Sequence, residues 1–484
     1  MFLITLFLTS VFLVLLYFSF FLFFIFYFFR IFMKSPGIMV NLLINLFFSF
    51  FLYLIYLTLI IILALMVSYE YTSLNIYSYL YYLPYIFNPL LFVPTYILPF
   101  SYIYLIITSL SIIYCLNYNR SEFVLFTFYT SFIIVIGFLL FFVDSFFNFF
   151  LLYECLLVPS FFILYKFAKT RRCVEASYVM FFWTQFGAFF LILFFVYLIT
   201  EYRITTFSHL IFFNFMANEV SLFFILLIIG FGVKIPLWPF YMWLPKAHVE
   251  ASTNFSIFLS GVLVKFAFFG LLKCMLAFSW DLTCYYIFPF LLIGIADAVL
   301  KVFYQTDLKK LIAFATVIEM HWLLICIFSG QSCLWVAGFC MLISHALLST
   351  NSFFLVDSIM RRFKTRLIYE LQGINFLCPN LFLYILLNSL VFMGFPGTLF
   401  FIAEILFFTF SFEIFPMLTI LLLLLIYFLI PLFFFRIWLN TMFGRNDFFS
   451  KTLPLDLDTR EILLFSFIFF LLFWFGLYWS AFIF

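Results

Sequence analysis

Six ionisable side chains stand inside long apolar runs of this chain: Glu154, Lys234, Lys265, Glu319, His345 and Glu404. An ionised group near the centre of a hydrocarbon layer costs about 2.5–3.5 kcal/mol, so each such residue is a candidate for function. Desolvation drives a carboxylate and an ammonium alike towards neutrality, where protons exchange readily, while a nearby opposite charge holds them ionised. A lysine that alternates between a glutamate partner and none is then a switchable proton carrier. The competing reading is a fixed ion pair, for instance Glu154 with Lys234, whose members only neutralise each other. Three acids, two lysines and a histidine spread over six apolar runs favour a path. His248, in the segment Trp243-Leu-Pro-Lys-Ala-His-Val-Glu250, is either a further relay or a histidine in a turn. His209, in a loop, and His321, inside an aromatic-rich helix, have weaker claims.

The backbone around two of these residues is marked by proline. Pro236 follows Lys234 closely, and Pro396 precedes Glu404 by eight residues. A proline inside a span removes a helical hydrogen bond and usually kinks or breaks the helix, which frees carbonyls for water or ions.

The elements that carry these groups must be membrane helices. Of 484 residues, 68% are hydrophobic, 9% are charged and 89 are Phe, too little polar surface to cover a soluble core. Apolar runs of about 20 residues, enough to cross the hydrocarbon layer, recur from end to end. The first, Phe2 to Phe29, has neither a basic leader nor a small-residue cleavage site and reads as a retained helix. The net charge of +3 is small and dispersed, which excludes a nucleic-acid-binding surface. The nine cysteines are scattered without metal-ligand spacing and read as small hydrophobes between helices. The excess of Phe, Leu, Ile and Tyr suggests AT-rich codon usage and an organelle-encoded chain.

Fourteen spans are predicted, at 2–29, 38–67, 97–117, 123–143, 146–165, 176–199, 222–244, 255–278, 285–303, 311–328, 333–356, 380–411, 417–442 and 462–484. The Tyr- and Pro-rich stretch 69–88 is expected to fold over a membrane surface. With this count, nineteen of the 23 basic residues fall beside odd-numbered loops, and even-numbered loops hold only Arg203 and Lys273. A miscounted span would exchange odd and even loops downstream and destroy that bias. Both termini should therefore face away from the cytoplasm or matrix. The interrupted spans are the seventh and the twelfth, five apart, so equivalent helices run in opposite directions. That is the layout of an inverted repeat, with spans four to eight matched to nine to thirteen, in which interrupted helices hold the ion sites. The expected fold is all-α and polytopic. Its regions are 1–122 with the first three helices, repeats at 123–278 and 279–442, and a C-terminal loop and helix at 443–484.

The segment from Lys234 to Ala251, KIPLWPFYMWLPKAHVEA, resembles the signature of the chain 4 family of NADH-ubiquinone oxidoreductase, antiporter-like subunits in the membrane arm of respiratory complex I. Further motifs agree: Tyr153-Glu-Cys-Leu-Leu-Val-Pro159, Gln305-Thr-Asp-Leu-Lys-Lys-Leu-Ile-Ala-Phe314, Ser344-His-Ala-Leu-Leu-Ser349, and Gly394-Phe-Pro-Gly-Thr398 followed by Ala403-Glu404. The likeness is clear from about 140 to 405. It implies fourteen helices, an inverted repeat, and a proton path through Glu154 and Lys234, Lys265, His345 and Glu404. It also implies neighbouring antiporter-like and other membrane-arm subunits, surrounding lipid, and a mitochondrial inner-membrane location with both termini towards the intermembrane space. NADH, FMN, iron–sulfur clusters and ubiquinone would belong to the assembly, with no cofactor or metal on this chain. A subunit of a stand-alone sodium/proton antiporter is the alternative, because the same fold and charges serve both; a purely structural subunit is another. Some positions depart from the pattern. Tyr241 stands where the family has His, Ser252 and Phe255 replace Pro and Gly, and Glu319 in Val317-Ile-Glu-Met320 replaces a helix-ten His. Glu319 is accordingly expected to serve as a relay between Lys265 and the second half-channel.

Overall fold

The computed structural model describes residues 97–115, 120–167, 170–210, 213, 215, 217–277, 286–371, 373–429, 438–443 and 456–479. The predicted spans at 2–29 and 38–67 and the surface stretch 69–88 lie outside the described residues. Two compact units divide the chain after Asp144. Among the described residues of the first are α1 (Ile97–Cys115) and α2 (Arg120–Phe142), tied by the Tyr104 hydroxyl, which donates to the Ile133 and Ile134 carbonyls at 2.7 and 3.0 Å.

The second unit holds every candidate residue. In order it contains α3 (Phe146–Cys155), α4 (Leu157–Lys166), α5 (Arg171–Tyr202), α6 (Ala217–Gly232), α7 (Trp243–Glu250) and α8, which runs Thr253–Phe258, Leu259–Leu263 and Val264–Ala277. There follow α9 (Phe288–Phe303), α10 (Leu308–Phe328), α11 (Ser332–Phe363), α12 (Pro379–Phe392), α13 (Leu399–Ile414), α14 (Pro416–Leu422, continuing through Leu423–Leu429) and α15 (Thr459–Leu477). Seven helices among the described residues are long and apolar enough to cross a membrane, and shorter apolar helices flank the breaks. The only β pairing among them is two isolated bridges.

Burial separates the helices into two classes. The apolar window of α10 is 100% buried, that of α8 94% and that of α11 83%, whereas α5 is 39% buried and exposes Phe182, Phe186 and Phe189. Helices that are apolar all round suit a lipid solvent, and the protein is a multi-pass membrane protein. The three innermost helices are the ones that carry Lys265, Glu319 and His345.

Both proline-marked spans are broken. The seventh stops at Gly232, turns over 233–239 around Pro236 and resumes through Phe240–Met242 into α7. The twelfth stops at Phe392, turns over 393–398 around Pro396, with Gly394 and Gly397 at positive φ, and resumes as α13 under a Thr398 cap. Two predicted extents were too short, because charged residues at helix ends continue the helix. The sixth span runs Arg171–Tyr202, and the eleventh, Ser332–Phe363, takes in Asp357, Arg361 and Arg362. One loop assignment is corrected: Lys273 lies within α8, buried, its ammonium over the rings of Phe207 at 5.3 Å and Phe269 at 5.0 Å. Aromatic faces stabilise a cation at such distances, which is how an apolar run hides a lysine.

Candidate functional site

Glu154 sits on α3, two residues before the chain turns at Leu156, and Lys234 sits in the break of span seven. Their side chains meet: Lys234 Nζ donates to Glu154 Oε1 at 2.9 Å. Neither is fully buried, with 12% and 18% of the side chain exposed. Two neutral groups complete the pair. Gln185 Nε2, from α5, donates to the other carboxylate oxygen at 2.9 Å, and the Tyr153 ring lies under the ammonium, 3.5 Å from Nζ to its centroid. Glutamate and lysine thus each keep a partner besides the other, which permits their bond to open.

The lysine is aimed by a cross-tie. Trp243 Nε1, at the start of α7, donates 2.8 Å back to the Val233 carbonyl, one residue before Lys234. A cavity of about 40 Å³ adjoins the pair, lined among others by Tyr153, Ser160, Thr184, Lys234 and Val264. It is large enough for a few waters and carries polar groups to hold them. It leads from Lys234 to the residue preceding Lys265.

Lys265 follows a π-helical stretch of α8, Leu259–Leu263. The wider turn withdraws carbonyls from the helical ladder, and Lys265 Nζ donates to one of them, that of Ser260. The same ammonium lies 2.6 Å from His345 Nδ1 on α11. The far nitrogen, Nε2, lies 3.3 Å from Glu319 Oε2 on α10, within ion-pair range. Facing an ammonium, Nδ1 must be the bare nitrogen, which leaves the ring proton on Nε2, near the carboxylate but not hydrogen-bonded to it. The imidazole therefore has one nitrogen to receive a proton and another to release one. Lys265, His345 and Glu319 are 5%, 1% and 7% exposed, so this line is shielded from solvent along its length.

Glu404 stands on α13, just past the second break, and is buried. Its carboxylate and that of Glu319 lie within electrostatic reach of each other. Gly394, at φ +73°, lets the backbone turn directly in front of the Glu404 carboxylate, which would run into a Cβ there. The sequence placed Glu319 between Lys265 and the second half; the fold inserts His345 between Lys265 and Glu319. α11 packs against both α8 and α10 and carries the ring between their side chains.

His248 is fully buried on α7, its ring stacked on Phe353 at 4.8 Å and 13°, and both ring nitrogens lack a hydrogen-bond partner among the described residues. It shares the electrostatic surroundings of Lys265 and Lys309. The fold thus places it beside the line without joining it by a direct bond.

Several functional contacts were not foreseen. Gln185 and Tyr153 are uncharged and gave no signal in an apolar chain. Tyr241, noted only as a departure, donates to Asp297 Oδ2 and accepts from Lys301 Nζ at 2.5 Å, while Lys301 also pairs with Asp297 at 2.7 Å. The Asp297–Lys301 spacing of four on α9 was the available clue. At the start of α10, Asp307 caps the helix and pairs with Arg366 at 2.7 Å. Burial pushes the Asp307 carboxyl above the usual carboxylate range against the pull of that guanidinium. Arg366 in turn donates to the Val249 carbonyl at 2.7 Å, and Lys309 to that of Ala251 at 2.9 Å. These cations meet the negative, C-terminal end of α7, where a helix dipole favours them. Among the described residues no group of three His, Cys, Asp or Glu could hold a metal ion.

A family model described as NADH:quinone oxidoreductase/Mrp antiporter, TM, matches residues 143–440. The chain is similar to NADH-ubiquinone oxidoreductase chain 4 of Paramecium tetraurelia, 37% identical over 284 residues that cover 59% of each chain. It thus spans about three fifths of the length of that curated relative. Among solved structures, a chain of respiratory complex I from Thermus thermophilus with bound NADH is 18% identical with a TM-score of 0.70, over 78% of this chain and 81% of that one. A chain of the Mrp complex from Dietzia sp. DQ12-45-1b is 19% identical with a TM-score of 0.67, over 79% of this chain and 42% of that one. These structures share its fold.

Proposed function

Because the chain belongs to the NADH:quinone oxidoreductase/Mrp antiporter transmembrane family, we propose that it is a proton-translocating, antiporter-like subunit of a respiratory NADH:ubiquinone oxidoreductase, complex I. The observation that carries this reading is the Lys265–His345–Glu319 line, spaced at 2.6 and 3.3 Å across the three most buried helices. Glu154 holds Lys234 in its ammonium form. When their bond opens, the desolvated ammonium gives up its proton, which water in the adjoining cavity passes towards Lys265. Lys265 protonates His345 at Nδ1, and His345 releases its Nε2 proton to Glu319, from which Glu404 discharges the second half. His248 supplies a side entry to Lys265 from the α7 end. The two broken helices, with Pro236 and Pro396, belong to two repeats at 123–278 and 279–442.

The chain carries no cofactor of its own in this reading. NADH oxidation, through FMN and iron–sulfur clusters to ubiquinone, takes place on other subunits, and this subunit packs among other membrane-arm subunits and lipid. In this reading the basic residues beside odd-numbered loops support a topology with both termini on the intermembrane-space side of the mitochondrial inner membrane. The test is the ratio of protons moved to electrons transferred by the purified assembly in sealed vesicles. Lys265→Met should lower that ratio with the assembly intact, and an unchanged ratio would sink the proposed path.

The Mrp-type structural match favours one second reading, a subunit of a stand-alone cation/proton antiporter. Co-purification with NADH dehydrogenase activity supports complex I; cation-driven proton exchange by an assembly lacking that activity supports the antiporter.

A further inference from the structure

The break in span seven leaves a backbone donor without its helical acceptor. In an unbroken helix the Trp238 N–H would meet the carbonyl four residues back. Here Leu237 N–H reaches the Gly232 carbonyl at 2.8 Å and Phe240 N–H the Leu237 carbonyl at 2.7 Å, but Trp238 N–H points out of its own segment. It donates to His321 Nε2 on α10 at 2.9 Å. An unpaired donor at this depth would cost the full desolvation of an amide, so the bond matters more than its average worth suggests.

The ring's protonation follows from its partners. Nε2 faces an N–H and must present a lone pair, so the proton is on Nδ1, which donates to the Val317 carbonyl at 2.8 Å. A second proton on Nε2 would face the proton of Trp238. Both nitrogens are occupied in the neutral form, and His321 is fully buried. A histidine so committed does not pass protons, although it stands two residues from Glu319. Gly294 on α9 makes room for it: a Cβ there would collide with the imidazole and approach Trp238 Cβ to 3.0 Å. The Tyr241 ring meets the imidazole edge-on, 6.3 Å between centroids at 84°.

We infer that His321 is a positioning residue for Lys234. It supplies the acceptor that the break removed, fixes the segment that presents Lys234 to Glu154, and ties that segment to the helix of Glu319. The inference rests on the proton path proposed above. Its test uses the intact assembly with two readouts: hydrogen exchange in peptides covering 233–240, and protons moved per electron. His321→Phe, which fills the space and accepts nothing, should speed exchange of the Trp238 amide roughly tenfold and lower the proton ratio. His321→Gln, whose side-chain carbonyl can accept the same N–H, should restore both. Lys234→Met should lower the ratio while leaving exchange as it is. If His321→Phe prevents assembly, Gly294→Ala, which displaces the ring, should reproduce the faster exchange. Unchanged exchange in His321→Phe or Gly294→Ala overturns the inference, as does faster exchange with a native proton ratio. A native ratio in Lys234→Met overturns the path instead, and exchange alone then decides whether His321 holds the break.

Discussion

Glu319 lies 3.3 Å from His345 Nε2 on one side and within reach of the Glu404 charge on the other. Replacing it with Gln keeps its shape and removes its proton. Glu319→Gln should therefore leave assembly intact and lower the protons moved per electron; a native ratio would show that protons bypass this residue. The ionisable groups themselves were legible, because a charge in an apolar chain is rare enough to count. Their neutral partners were not. Gln185 and Tyr153 become informative only once α5 and α3 place them against the Glu154–Lys234 pair, and His321 reads as an ordinary aromatic until the orphaned Trp238 amide is seen opposite it.

Both broken helices could be read from Pro236 and Pro396, whereas the π-helical stretch at Leu259–Leu263 could not. It amounts to one extra residue in a turn, and a uniform run of apolar side chains hides a one-residue change of phase. Its consequence is rotational. The bulge absorbs its extra residue and keeps Lys265 in phase, whereas an Ala inserted between Val264 and Lys265, with nothing to absorb it, should swing Lys265 about 100° around the helix axis, away from His345. That insertion should abolish proton movement with electron transfer preserved, measured on the same vesicles. A second π-helical stretch, Leu423–Leu429, forms the end of α14, in the span that the expected inverted repeat would pair with α8. Helix ends were misjudged where charges continue the helix: Arg361 pairs with Asp357 at 2.6 Å and Arg362 with Glu461 at 2.5 Å, the latter inside the capping box of α15.

At the scale of the whole molecule, the alternation of basic loops read from the sequence predicts which ends of the helices share a face. Arg203 and Lys364 each close a long helix in a left-handed cap, at φ 56° and 59°, after α5 and α11. The loop count assigns them to opposite sides. Cysteines introduced as Arg203→Cys and Lys364→Cys should react with an impermeant thiol reagent from opposite faces of sealed vesicles, with Lys364→Cys on the matrix side. Labelling of both from one side would refute the span count between them. That count came from the distribution of a few lysines and arginines, whereas the identity of the innermost helices did not: α8, α10 and α11 are no more apolar than the lipid-facing ones. In a membrane the interior and the surroundings are equally oily, so only contacts tell them apart.

The tie from Trp243 to the Val233 carbonyl bears on speed. A helix half that swung on a loose hinge would move over microseconds to milliseconds, whereas rotation about side-chain bonds takes picoseconds to nanoseconds. With the backbone beside Lys234 strapped to α7 at 2.8 Å, the four-carbon stem of the lysine is the lightest part left to move. Its swing would be over long before a catalytic cycle is, and the pace of transport would be set by whatever opens the bond to Glu154.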